Sequence, residues 1–128
     1  MSKSIPSELL RREHGLFVDG SFRPGRAGAV TPVHNPATGE LLSRVAAGDE
    51  RDVDDAVTAA ERAYALWRGI SRIDRSKALL AVADAIEANG EALAQIESLN
   101  TGRVIVETRE DVSATADLFR YFAGTIRV

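Results

Sequence analysis

The sequence of 128 residues contains no cysteine. Disulfides, thiolate metal sites and a cysteine nucleophile are therefore excluded within these residues. Proline is also scarce, with 4 residues, whereas apolar residues make up 45% of the chain and charged residues 27%. This balance excludes the compositions of fibrous and disordered proteins and predicts one folded globular domain.

A basic surface and a long apolar run are missing as well. There are 16 Lys and Arg against 19 Asp and Glu, a net charge of -3, and the basic residues form no run that would attract a phosphate backbone. No apolar stretch approaches the roughly 18 to 20 residues that span a bilayer, and the start of the chain lacks the apolar core and cleavage site of a secretion signal. We therefore expect no nucleic-acid partner, no membrane partner and a cytoplasmic location.

Two β-hairpins are predicted in the first part of the chain. We interpret residues 1–14 as a flexible tail and residues 15–128 as one folded region. The β-prone run Leu16–Val18 precedes an Asp-Gly dipeptide, which tight hairpin turns favour. The runs Val30–His34 and Leu41–Ala46 predict a second hairpin, because the residues between them begin with Asn-Pro and include a glycine.

Four amphipathic helices are predicted in the remainder, which makes the segment α+β. The start signals are Asp49 for the first helix, the capping-box pair Ser71 and Asp74 for the second, and the pair Thr108 and Asp111 for the fourth. The predicted stops are Gly69, Asn89-Gly90 and Gly102, while the fourth helical pattern still runs at Val128. We expect the hairpins at one end of a packed helical set, in which the buried residues are Val57, Ala60, Tyr64, Trp67, Leu79, Ile86, Ile96 and Phe119.

Residues that carry chemistry are few. The two histidines, His14 and His34, have no partner at a metal-binding or catalytic spacing. The helix acids, such as Asp55 and Asp84, are interpreted as a solvated face. The loop at 23–28 has glycines without the spacing of a dinucleotide or phosphate-binding motif, and we interpret it as a plain connection. The residues alone therefore indicate no active site.

The order of the motifs resembles the opening of the aldehyde dehydrogenase superfamily over most of the chain. Six segments resemble motifs of that family. In the first half they are a first strand and turn (LFVDG, 16–20), a recurrent hairpin (NPATGE, 35–40) and a first long helix (DVDDAV at 52–57, ALWR at 65–68). In the second half they are the opening of the second helix (DR, 74–75), a helix stop (ESLNTGR, 97–103) and an aromatic helix (RYFAG, 120–124). The resemblance implies that residues 15–128 are the N-terminal part of the cofactor-binding domain of a larger α/β enzyme.

Such an enzyme oxidises an aldehyde to a carboxylic acid with NAD or NADP. The resemblance implies that a cysteine attacks the carbonyl, a hydride passes to nicotinamide and a glutamate activates water. Those residues and the cofactor contacts belong to later parts of the family's sequence, so we assign no catalytic and no cofactor-binding residue here. We expect the isolated chain to be inactive.

The resemblance also implies a monovalent cation in some members, held by a carbonyl before the Asn-Pro turn and by an acid near the helix stop. These positions are the backbone of His34 and the side chain of Asn100 here. The family pattern has Asp and Lys where this chain has Asn100 and Arg103, and an amide brings no charge, so we expect weaker cation binding. Asn100 as a backbone cap at the helix end is the alternative.

Two functions remain open on the sequence alone. The first is a fragment of an aldehyde dehydrogenase whose small-molecule substrate is an aldehyde. The second is a non-catalytic helical module that binds a partner or itself through its apolar stripes. Full-length relatives imply a homo-oligomer, and a fragment that leaves apolar faces uncovered is expected to self-associate.

Overall fold

The computed structural model describes residues 13–126. The chain divides into two units between Gly69 and Ile70. Residues 13–69 contain five strands and one helix, and residues 70–126 contain three helices. This element order confirms the predicted α+β segment, strands first and four helices after them.

The strands of the first unit are, in chain order, β1 (Glu13–His14), β2 (Leu16–Val18), β3 (Ser21–Arg23), β4 (Val30–His34) and β5 (Leu41–Ala46). β2 and β3 form an antiparallel hairpin. β5 lies between β1 and β4, parallel to the first and antiparallel to the second. Both predicted hairpins are confirmed. β1 was not predicted, because two residues are too short for a sequence pattern; the rest of the predicted tail lies outside the described residues.

The hairpin turns follow from local chemistry. Asp19 and Gly20 have φ of 53° and 79°, the positive values that a two-residue turn of the favoured twist requires at both central positions. In the second hairpin, Asn35 Oδ1 accepts the backbone N–H of Ala37 at 2.9 Å, and Gly39 has φ of 74°. The side chain of Asn35 therefore shapes its own turn, as predicted.

The one helix of the first unit, α1 (Glu50–Trp67), begins as predicted at the N-cap Asp49. The Asp49 side chain accepts the Asp52 N–H, and the Asp52 side chain accepts the Asp49 N–H, which completes a capping box. The buried residues of α1 are Asp52 and Ala59, seven positions apart and so on one helix face. This face, of small and charged residues, contacts β2.

The second unit consists of α2 (Arg72–Ala88), α3 (Gly90–Thr101) and α4 (Ile105–Thr125), with α2 and α3 both packed on α4. Its buried apolar residues are all alanine, namely Ala83, Ala94, Ala116 and Ala123. Small side chains let helix backbones approach closely, because interaxial distance depends on the residues at the contact. Within residues 13–126, no helix combines the length and apolarity that a membrane crossing needs.

Buried hydroxyls join these helices. The Ser76 hydroxyl of α2 donates to the carbonyl of Ala123 in α4 at 2.8 Å. The Thr108 hydroxyl of α4 donates to the carbonyl of Ala94 in α3 at 3.0 Å. Each bond gives a buried hydroxyl a partner in the neighbouring helix, as buried polar groups require.

The start and end of α4 differ from the prediction. The helix begins at Ile105 after Val104, which makes no side-chain cap bond. The predicted capping box at Thr108 and Asp111 is therefore wrong, because the Thr108 hydroxyl is used for contact with α3. The helix ends at Thr125, with Ile126 as its C-cap, so the pattern expected to run to Val128 stops earlier; residues 127–128 lie outside the described range.

The predicted core is wrong for α1, and in the other helices its residues are less buried than predicted. Val57, Ala60, Tyr64 and Trp67 are exposed, whereas Leu79, Ile86, Ile96 and Phe119 are half-buried. The reason in α1 is that the face carrying Asp52 and Ala59, and not the apolar stripe, is buried. On this covered face the Asp52 carboxylate pairs with Arg23.

Candidate functional site

The densest polar constellation of the first unit surrounds the start of α1. We name it the α1 cap cluster: Arg23, Arg26, Asp49, Asp52 and Asp55. Arg23 ends β3, Arg26 lies in the next loop and the three aspartates lie at or near the first turn of α1. Arg23 bonds Asp52 at 2.7 Å and Asp55 at 3.1 Å, and Arg26 bonds Asp55 at 2.6 Å. The cluster ties the loop to the helix.

Asp52 is the centre of the cluster, and its carboxylate is 2% exposed. It accepts hydrogen bonds from the Arg23 guanidinium, from the Arg26 N–H at 3.0 Å and from the Asp49 N–H at 3.1 Å. Burial alone raises the pKa of Asp52, but these bonds outweigh burial and hold its pKa below the ordinary value. A carboxylate with three donors already bound serves as a structural anion, so the cluster offers no general base.

The loop between Arg23 and Gly28 is more than the plain connection predicted. Gly25 is buried, and a Cβ added there would lie 2.5 Å from the carbonyl oxygen of Ala47. Gly28 has φ of 65° and donates its N–H to the Gly25 carbonyl at 3.0 Å. Only glycine permits that approach at position 25. A hollow of about 330 Å³ beside the loop is lined by residues including Glu13, His14 and Arg23.

The second unit carries paired charges on its helices. Arg109 of α4 donates two hydrogen bonds to Glu91 of α3, at 2.9 and 2.8 Å. These bonds, with one from Gln95, lower the pKa of Glu91 from 4.5 to about 2. Arg120 of α4 pairs with Glu87 of α2 at 2.6 Å. The pairs link the same helices as the buried hydroxyls and hold no ionisable group ready for proton transfer.

The turn from α3 to α4 is also ordered by local bonds. Gly102 adopts φ of 77° and ends α3 as predicted. The Ser98 hydroxyl donates to the Arg103 carbonyl at 2.7 Å, and Arg103 pairs with Asp111 and Glu107. Arg103 is therefore used to fix the start of α4.

The two predicted cation ligands lie in different units. His34 is the last residue of β4 and is exposed, and Asn100 is exposed in the last turn of α3. The side chain of Asn100 makes no hydrogen bond within residues 13–126, so the alternative of a backbone cap is not seen there; Gly102 is the C-cap. The described range also holds no group of three His, Cys, Asp or Glu suited to a metal ion.

Sequence reasoning missed the α1 cap cluster. Asp49 indicated the cap itself, but nothing local indicated that Arg23, 29 residues from Asp52, pairs with Asp52. Across the described residues, the charged groups position loops and helices, and none forms a nucleophile and base pair.

Comparison with known proteins identifies the architecture. Residues 22–128 match the sequence model of the aldehyde dehydrogenase family. A relative, an aldehyde dehydrogenase-like protein of Schizosaccharomyces pombe, is 42% identical over 113 residues. Among solved structures, an NAD-dependent aldehyde dehydrogenase from Sinorhizobium meliloti is 32% identical with a TM-score of 0.86 over 97% of this chain. PnpE, crystallised with nicotinamide adenine dinucleotide, is 43% identical with a TM-score of 0.82 over 89% of this chain.

The match covers only a minor part of each relative. This chain spans 22% of the S. pombe protein, 25% of the S. meliloti chain and 23% of the PnpE chain. The geometry described above therefore corresponds to a portion of those larger folds.

Proposed function

The chain belongs to the aldehyde dehydrogenase family, and we propose that it is the N-terminal segment of an enzyme that oxidises an aldehyde to a carboxylic acid with NAD or NADP. The observation that carries the proposal is the match of residues 22–128 to the family, with a TM-score of 0.86 to a relative named as an NAD-dependent aldehyde dehydrogenase. The reacting residues then belong to the rest of the enzyme, since the 128 residues include no cysteine.

The role we propose for residues 15–128 is structural: they form the N-terminal part of the cofactor-binding domain. The α1 cap cluster supports this role because its charges bond one another rather than facing a ligand. The helix pairs of the second unit support it in the same way, since Arg109 and Arg120 are held by carboxylates. A framework of this kind positions catalytic loops that other segments provide.

For the cofactor, we propose NAD or NADP in the longer enzyme, supported by the NAD complex of PnpE. We also propose that the His34 carbonyl and the Asn100 side chain are ligands of a monovalent cation there. Both supply oxygen donors, which hard cations prefer, but neither brings charge. The longer enzyme should show weak stabilisation by K⁺ or Na⁺ in thermal melts, and Asn100→Asp should strengthen it; no cation effect in either protein would overturn the site.

The exposed apolar side chains bear on whether the protein associates with itself. Each unit leaves aromatic side chains exposed: Tyr121 at 64% and Phe122 at 54% on α4, and Tyr64 at 63% on α1. Exposed apolar side chains that form a patch mark association surfaces. We propose a homo-oligomer, and light scattering should show a mass that rises with protein concentration; a monomer at every concentration would contradict it.

The cellular location that we propose is the cytoplasm, which cell fractionation tests.

The test of the proposed function begins with the gene. We expect the reading frame to continue past the codon for Val128 into a parallel-sheet pattern that contains a cysteine, and the full product to reduce NAD or NADP with an aldehyde. Replacing that cysteine by alanine should abolish turnover while leaving cofactor binding. A stop codon at this point with a stable, monodisperse product would instead favour the non-catalytic module.

A further inference from the structure

The junction between α2 and α3 consists of one residue, Asn89. It is the C-cap of α2 and directly precedes Gly90, the first residue of α3. Its backbone is not helical, with φ of -112° and ψ of 10°. Its side chain is exposed, and Nδ2 donates to the carbonyl of Ala85 at 2.8 Å. An amide side chain therefore lies at an exposed bend, followed by a residue without a side chain.

We propose that Asn89-Gly90 is a site of spontaneous deamidation that converts Asn89 to aspartate and isoaspartate. After hydroxide removes the Gly90 N–H proton, the backbone nitrogen attacks Cγ of Asn89. A bond forms between that nitrogen and Cγ, the bond from Cγ to Nδ2 breaks, and ammonia leaves with a proton from water. Water then adds to either carbonyl of the resulting succinimide and reopens it. The net change consumes one water, releases one ammonia and involves no oxidation.

Glycine at position 90 makes this junction the reactive one. Without a Cβ, Gly90 leaves its nitrogen open to the approach of Cγ, and as the first residue of α3 its N–H has no partner within that helix. The chain has two other asparagines. Asn35 precedes a proline, which has no N–H to lose. Asn100 lies within α3 and precedes Thr101, a β-branched residue that crowds its own nitrogen.

Attack also requires motion at the junction. The backbone of Asn89 must rotate from ψ of 10° so that the Gly90 nitrogen faces Cγ. That rotation breaks the bond from the Leu93 N–H to the Asn89 carbonyl, which measures 3.0 Å. The deamidation rate therefore depends on opening of the first turn of α3, and such helix ends are where local opening costs least.

The product changes the junction in two ways. A carboxylate has no hydrogen to donate to the Ala85 carbonyl, and its charge at the end of α2 is repelled by the helix dipole, although the same charge suits the start of α3. Isoaspartate adds a carbon to the backbone between the helices. Both products place a new negative charge two residues from Glu91, whose pair with Arg109 links α3 to α4.

Gly90→Ala is the matched control variant. A Cβ at position 90 would lie 3.7 Å from Val112 Cγ1, an ordinary van der Waals contact, and the backbone there has no positive φ. The substitution should therefore keep the fold and improve helix propensity. It leaves Asn89 and its bond to Ala85 in place, and both of its effects, a more crowded attacking nitrogen and a firmer first turn of α3, should slow the reaction at Asn89.

The experiment follows amide loss at each asparagine by peptide mapping with mass spectrometry, on the purified 128-residue chain aged at mildly alkaline pH. We expect Asn89 to convert severalfold faster than Asn100, with a mixture of aspartate and isoaspartate, and Gly90→Ala to slow Asn89 severalfold. Circular dichroism of both proteins checks that the helices persist. The proposal would be overturned if Asn89 converted no faster than Asn100, or if Asn89 converted at the same rate in Gly90→Ala as in the parent chain. It would also be overturned if Asn89 converted only when the chain is denatured.

Discussion

Thr108→Val removes one hydroxyl from the contact between α3 and α4 and leaves nearly the same volume. The Thr108 side chain is fully buried. Its Oγ1 donates to the Ala94 carbonyl at 3.0 Å and lies 3.1 Å from the Ile105 carbonyl. Because a hydroxyl has a single proton, only one of these carbonyls is bonded at a time. The change thus tests whether this bond, and not the shape of the residue, holds the two helices.

The cost of Thr108→Val has two parts. A neutral hydrogen bond contributes about 0.5 to 1.5 kcal/mol net, and an acceptor left unsatisfied in the interior adds a desolvation cost. That second part is small here, because the Ala94 carbonyl lies inside α3 and still accepts a bond from the helix backbone. We therefore expect the free energy of unfolding to fall by about 0.5 to 1.5 kcal/mol.

Thr115→Val is the matched control. Thr115 is an exposed residue of the same helix, and its hydroxyl donates to the Asp111 carbonyl at 2.7 Å. Water replaces that bond when it is lost, so the free energy of unfolding should change by less than about 0.5 kcal/mol. Urea unfolding followed by circular dichroism, with hydrogen exchange of α4 peptides, measures both variants. Equal losses in the two variants would refute the reasoning.

Three further predictions concern packing, pH and activity. Gly25→Ala forces a Cβ within 2.5 Å of the Ala47 carbonyl oxygen and should lower the free energy of unfolding by about 1 to 3 kcal/mol. Gly48→Ala is the control, because the nearest contact of its Cβ is at 3.6 Å, and it should not lower stability. Thermal melts compare the two variants. The pKa of Glu91 falls from 4.5 to about 2 on folding, so its pair with Arg109 contributes stability above pH 4.5 that is lost as the pH falls toward 2. Acid titration of Glu91→Gln should lack that part of the loss, and a titration identical to the parent chain would contradict it. The isolated chain should not oxidise aldehydes, since it has no thiolate to attack the carbonyl. It should not bind NAD or NADP either, since its described strands form hairpins and one short parallel pair rather than the parallel-sheet edge where dinucleotides bind. Absorbance of the reduced nicotinamide and calorimetry test this, and saturable turnover free of host enzymes would contradict it.

Local chemistry explains what could be predicted from the sequence. The hairpins were predicted because their determinants are adjacent in the chain: Asp19 and Gly20 take positive φ, and Asn35 bonds the N–H of Ala37. Helix starts at Asp49 and Ser71 were predicted for the same reason, since each side chain accepts a bond from the residue three positions on.

Tertiary contacts explain what could not be predicted. Thr108 has the spacing of a capping residue, yet its hydroxyl bonds a carbonyl in another helix. The position of Asp52 indicated only an acid that suits the start of a helix, yet its pairing with Arg23 holds its carboxylate in the interior. For the candidate cation ligands, His34 and Asn100, the sequence and the resemblance give positions in the chain, and their role stays a prediction.

Segment exchange tests the central claim, that this chain is the framework segment of an aldehyde dehydrogenase, most directly. In the S. meliloti enzyme, 32% identical with a TM-score of 0.86, the matching segment is replaced by this chain, and NADH formation with an aldehyde is measured. The account predicts that the chimera retains turnover, that deletion of the segment abolishes it, and that Gly25→Ala in the chimera lowers its thermal stability. A chimera that folds, assembles and binds NAD like its parent but forms no NADH would contradict the account.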